Sequence, residues 1–166
     1  SFADLTPGTY VLKPVATDYV SVTDTRCLTS SNNSMDLIAL TSSQATNANV
    51  TVLTWGDSNS GAPADLDSGL LASGGSPSPT HIKYNARGSS SAWAMLDLDD
   101  TQYSGPETIR INLDSSSGPL RNGVTKACYY VSIYTNGYSF SQTKAQVQLF
   151  QSDGTVLTNF EAPDDT

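Results

Sequence analysis

The chain has 166 residues, 37% of them hydrophobic and 14% charged, with a formal net charge of −8 from sixteen acids against eight Lys and Arg. So few and scattered basic side chains form no stripe able to displace counterions from phosphate, which excludes nucleic acid as an expected partner. No apolar run approaches the ~20 residues of a spanning helix, so membrane insertion is not expected either.

Ser and Thr stand where ions would normally make a surface polar, and Glu occurs only at Glu107 and Glu161. Long amphipathic helices draw on Glu, Lys, Ala and Leu, so this composition favours short strands and turns. The length suits one domain with a sizeable core. Residues 1–166 therefore read as a single all-β domain, an antiparallel β-sandwich with long polar loops, for which a jelly roll is one fitting arrangement.

In chain order, residues 1–8 read as a hinge, opening without Met as a processed product or excised domain would. Thr9–Lys13 and Asp18–Thr23 are short strands, followed by Met35–Thr41 and Asn49–Trp55. Gly56–Pro79, dense in Gly, Pro and Ser, reads as one long loop in which "DLDSGLLA" forms a helical turn. Thr80–Ala86, Ala92–Leu98, Glu107–Leu113, Ala127–Tyr134 and Lys144–Phe150 are further strands. Ile109, Ile111 and Leu113 alternate with Arg110 and Asn112, as a half-buried strand demands. Ala127, Tyr129, Val131 and Ile133 share a face, answered by Val147 and Leu149 across a hairpin whose loop holds Asn136-Gly137. Asp153-Gly154 closes a last hairpin, and residues 160–166 form a frayed acidic tail.

Cys27 and Cys128 are compatible with a bridge or with two free thiols. Asn32 and Asn49 head glycosylation sequons, which lean the compartment towards the extracellular side. His81 is the sole histidine; with no Gly-x-Ser-x-Gly elbow beside the many serines, it reads as a strand residue rather than a catalytic base.

Two clusters carry chemistry. Asp97 and Asp99 lie two apart, hence on one face of a strand, with Asp100 at the turn and Glu107 returning on the next strand. Together they make a candidate calcium site, of which Asp65 and Asp67 in the long loop are a weaker version. The alternatives are a solvated acidic strand end, or a carboxylate pair for glycoside hydrolysis, which would require environments that split their roles. Near Asn136, Tyr129, Tyr130, Tyr134, Tyr138 and Phe140 offer rigid rings with polar handles. The strand tyrosines read as core. Asn136, Tyr138 and Phe140, with Trp55 and Asp57 where the long loop begins, are the candidate binding residues.

A hydroxyl-rich, acidic β domain with long Gly/Ser/Pro loops and an entry segment "LTPGTYVLKP" similar to a short hinge resembles the protruding domain of a small icosahedral virus coat protein. The resemblance implies display on a virion surface, self-association into dimeric or trimeric spikes, attachment to a host-cell receptor, protein or glycan, and no catalysis or obligatory cofactor. The basic arm that such coat proteins use against their genome is not in this sequence, as suits an outer domain. Bacterial pilins are similar too, although Cys27 and Cys128 are more widely separated than in their tight disulfide loop. A secreted or cell-surface carbohydrate-binding adhesin is thus the alternative, and an acidic-site hydrolase a third.

Overall fold

A computed structural model describes residues 8–12, 19–20, 24–28, 41–42, 47–56, 58–74, 79–103, 105–113, 118–119 and 122–163; through residue 42 only backbone pairing is described. The described residues form strands β1 (Gly8–Leu12), β2 (Tyr19–Val20), β3 (Asp24–Leu28), β4 (Thr41–Ser42), β5 (Ala48–Thr54), β6 (Leu66–Gly74), β7 (His81–Ile82), β8 (Ala94–Leu98), β9 (Glu107–Asn112), β10 (Val124–Ile133), β11 (Gln146–Phe150) and β12 (Val156–Glu161). A single helical turn, α1 (Phe140–Thr143), lies between β10 and β11. Pairing is antiparallel throughout, in a five-stranded sheet ordered β12-β11-β5-β9-β8 and a three-stranded sheet ordered β10-β6-β7. β1 pairs with β3, and β2 with β4. The expected all-β, sandwich-like fold is what forms.

The two larger sheets meet through apolar side chains. Trp93, just before β8, and Ala94, Leu96 and Ile109 of the five-stranded sheet pack against Leu70, Ile82 and Val124 of the three-stranded sheet. The indole N–H of Trp93 donates to the carbonyl of Pro79 at 2.8 Å, which satisfies the one polar atom that this fully buried ring carries. A second cluster joins Leu53, Trp55, Leu66 and Ala145, with Val131, Ile133 and Val147 against it. On the other face of β5, Ala48, Val50 and Val52 are buried with Phe150. β5 is therefore covered on both faces, with five of its seven residues buried.

Several sequence expectations need correcting. Gly56–Pro79 is not one loop: β6 occupies its middle and forms a ladder with β10 from Leu66↔Ile133 to Gly74↔Val124. β6 has no β-branched or aromatic residue, so its intrinsic propensity conceals it, and pairing with a long neighbour decides its state. Nor do β10 and β11 form a hairpin. β10 pairs with β6, whereas β11 runs between β5 and β12 in the other sheet. The connection between them holds the Asn136-Gly137 turn and then α1, which carries the chain across. β3 is a strand that the sequence reading missed, and most of the expected Met35–Thr41 strand lies outside the described residues. Residues 160–161 belong to β12, and the amide of Ala162 donates to the carbonyl of Ala145 at 2.8 Å, so the tail is fastened that far.

The sequon at Asn49 is built into central strand β5, where the Thr51 hydroxyl donates to the Ile109 carbonyl at 3.2 Å; Asn32 lies outside the described residues. Cys128 is a free, exposed thiol on β10. No helix among the described residues is long and apolar enough to cross a membrane.

Ile109 is fully buried in the inter-sheet cluster, whereas Leu157 on edge strand β12 is 49% exposed. Urea unfolding is expected to show a loss of about 2–5 kcal/mol for Ile109→Ala, but a change within about 0.5 kcal/mol for Leu157→Ala.

Candidate functional site

Two groups of side chains, one aromatic and one acidic, are joined where β10 ends and β6 begins. There the amide of Tyr134 donates to the carbonyl of Asp65 at 3.3 Å.

The aromatic group is exposed. Tyr84, in the tight turn bridged at Lys83 and Ala86, meets Tyr134 edge to face, with ring centroids 5.9 Å apart and planes at 72°. These rings are 43% and 59% exposed, and Tyr138 and Phe140 on the following turn are 36% and 40% exposed. Local hydrogen bonds fix that turn. The Ser139 amide donates to Gln142 Oε1 at 2.8 Å, as in a capping box. Buried Thr143 donates its hydroxyl to the Phe140 carbonyl at 2.6 Å and accepts the Ala145 amide at 3.0 Å. The Thr143 carbonyl accepts the Gly56 amide at 2.9 Å, tying α1 to the end of β5.

Of the expected binding residues, Asn136, Tyr138 and Phe140 are thus exposed in this region. Trp55 is not among them. It is buried in the core cluster with Leu53 and Leu66, because the Gly56–Thr143 link folds the chain back over it. Asp57 lies outside the described residues. Tyr84 escaped the sequence reading, although a tyrosine in a tight "KYNA" turn has little chance of burial. Tyr134, counted there with the core tyrosines, emerges at the end of its strand.

Tyr129 and Tyr130 point to opposite faces of β10. Tyr129 packs on the inter-sheet core, its hydroxyl 2.7 Å from that of Ser68. Burial pushes its phenol well above the ordinary tyrosine range, with the Ser68 hydrogen bond acting against the shift. Tyr130 lies across Gly69 of β6, where any Cβ would meet its ring at about 2 Å. Its hydroxyl reaches Nε2 of His81 at 2.6 Å. The one imidazole in the chain is therefore engaged by a phenol on the outer face of the smaller sheet.

The acidic group is buried. Asp65, Asp67 and Glu107 each bring a carboxylate oxygen within 4.8 Å of the others. Glu107 belongs to the core-facing row Glu107, Ile109, Ile111 of β9, and its side chain is fully buried between the sheets. Its delivery depends on Gly105, held at φ +71°, where a Cβ would meet the Trp55 ring at 2.7 Å. Glu107 Oε2 accepts the backbone amide of Ser68 at 2.6 Å, a bond from one sheet to the other. Glu107 Oε1 and Asp65 Oδ1 are buried without a partner.

The expected calcium set of Asp97, Asp99, Asp100 and Glu107 is thus redrawn. A register shift between Leu96 and Leu98 makes Asp97 the extra residue of a β-bulge, which breaks the alternation that would have put it beside Asp99. Asp97 instead pairs with Arg110 at 3.3 Å. Asp99 and Asp100 do not join the buried trio but raise the Asp65 pKa by their charge, and Asp99 also acts on Asp67 and Glu107. The trio's other two members come from the segment read as a loop.

Burial is the main cause of the trio's altered acidity, and every charge acting on it is another carboxylate. Asp65 is raised, Asp67 is raised to about 6 and Glu107 to about 8, with the Ser68 hydrogen bonds opposing the shift at Glu107. Compared with known proteins, the chain matches no family model and no curated sequence.

These carboxyls hold protons more tightly in the folded chain than at their ordinary values of 3.8 and 4.5. By linkage, their contribution to stability is complete below those values and is lost as pH rises through about 6 and about 8. In chelator-containing buffer, Glu107→Gln removes the upper step. Thermal melts should place the variant close to the wild type near pH 5 and above it at pH 9, by ~5 °C or more.

Proposed function

We propose that this domain is a non-catalytic recognition module, displayed on a surface and making contact through the aromatic end formed by Tyr84, Tyr134, Tyr138 and Phe140. The carrying observation is the Tyr84–Tyr134 pair, two rings in defined geometry that remain largely open to solvent. Rings held in place bury large areas at little entropic cost when a partner arrives, and exposed Asn136 beside them provides adaptable hydrogen bonds. The hydrogen-bonded turn from Ser139 to Ala145 supports this reading by fixing the platform in advance.

The remaining chemistry points the same way. His81 is bonded to Tyr130 rather than to a serine. Glu107, the most perturbed carboxyl, is sealed between the sheets, where no sugar ring can lie against it. The protruding domain of a virus coat protein is the form that agrees with the sequence texture, with copies gathered in dimeric or trimeric spikes and a host receptor met through these loops. A carbohydrate-binding adhesin would use the same rings against the apolar face of a sugar.

Solution mass and a glycan array separate the two forms: a stable oligomer indifferent to glycans fits the particle domain, and a monomer that retains glycans fits the adhesin. In either form, Tyr134→Ala with Tyr138→Ala is expected to weaken binding to the array ligand or to receptor-bearing cells at least ~10-fold. The melting temperature should stay within about 2 °C, because neither ring is buried. Undiminished binding by the double variant would rule out this end of the molecule as the contact surface.

A further inference from the structure

We propose that Asp65, Asp67 and Glu107 bind a divalent cation of the calcium class, held by their carboxylate oxygens where β6 and β9 begin. The proposal does not rest on the recognition reading, although the Tyr134–Asp65 backbone bond links the two sites. Three carboxylates gathered in a half-buried to fully buried position are costly unless something positive compensates them. Among the described residues no Lys or Arg acts on them; their electrostatic neighbours are Asp99 and Asp100, which deepen the negative field.

Clustering alone would not identify a ligand, but two further atoms do. Glu107 is fully buried and commits only Oε2 to the protein, leaving Oε1 buried and unpartnered; Asp65 Oδ1 is in the same condition. Buried oxygens of this kind normally find a donor or a metal. The donors are all hard oxygens, with no thiolate or imidazole, which selects against zinc and copper. Oxygens that all lie within 4.8 Å of one another fit inside the shell of an ion bonded at ~2.4 Å, as calcium is. Such an ion joins Asp67 of the smaller sheet, and Asp65 just before it, to Glu107 of the larger one. It thereby reinforces, with a second link, the inter-sheet bond that Glu107 makes to Ser68.

The test uses the 166-residue chain, freed of metal with chelator and titrated with Ca²⁺ alone, followed by thermal melting. Tb³⁺ on the same sample serves as a luminescent probe excited through nearby tyrosine and tryptophan. Ca²⁺ at about 1–5 mM is expected to raise the melting temperature by several degrees, and bound Tb³⁺ to emit until Ca²⁺ displaces it. Glu107→Gln and, separately, Asp65→Asn should each weaken Ca²⁺ affinity at least ~10-fold. Asp97→Asn, whose carboxylate faces Arg110, should keep it. If Glu107→Gln fails to fold, the Asp65→Asn variant, at the partly buried margin of the trio, decides. A melting temperature indifferent to Ca²⁺ with no sensitised emission overturns the site, leaving protons as the trio's compensation. Undiminished affinity in the Asp65→Asn variant overturns it equally.

Discussion

A carboxyl group set in the layer between two sheets has to be satisfied there, because water does not reach it. Glu107 meets this condition on one oxygen, through the Ser68 amide of the opposite sheet, and the other oxygen remains open. Much of the surrounding structure follows from that placement. Gly105 must leave room beside Trp55, β9 must begin on its core-facing row, and the start of β6 must bring Ser68, Asp67 and the preceding Asp65 to the same end. The Ser68 hydroxyl lies next to that of Tyr129, so one polar path threads an otherwise apolar interior. Half-satisfied polar networks are costly, and where they persist they mark a place at which composition answers to something besides packing.

The same end of the molecule carries the exposed rings, and the two features share a backbone contact, Tyr134 to Asp65. Strand ends in a sandwich are where side chains can leave the core without disturbing the ladder, so recognition surfaces collect there. Here the rigidity comes from small contacts: a capping box, a buried threonine that both donates and accepts, and an edge-to-face ring pair. Each is worth little alone. Together they reduce the ordering that a partner would otherwise have to impose.

Much of the fold was legible because burial imposes period-two alternation, as in Ile109 and Ile111 or Tyr129, Val131 and Ile133. What remained hidden had a physical cause in each case. β6 contains no residue type that favours strands, and only its partner reveals it. The supposed hairpin of β10 and β11 failed because alternation identifies strands but says nothing about which sheet receives them. The acidic site was half visible: both groups of carboxylates could be picked out, but their convergence depends on a β-bulge at Asp97 and on two sheets meeting, neither of which is local information. Trp55 misled for a similar reason, since its burial is settled by α1, more than eighty residues later.

The last two strands offer a practical opening. The turn at residues 152–154 reverses the chain at the rim of the larger sheet, closed by Asp153 and the Thr155 amide at 2.8 Å, with Gly154 at φ +87°. None of its side chains enters a core cluster. A foreign peptide grafted between Ser152 and Gly154 would therefore ride on the margin of the scaffold as an epitope or affinity handle, remote in sequence from the buried acids. This makes the hairpin a natural place to tether the domain to a sensor chip with its aromatic face left free.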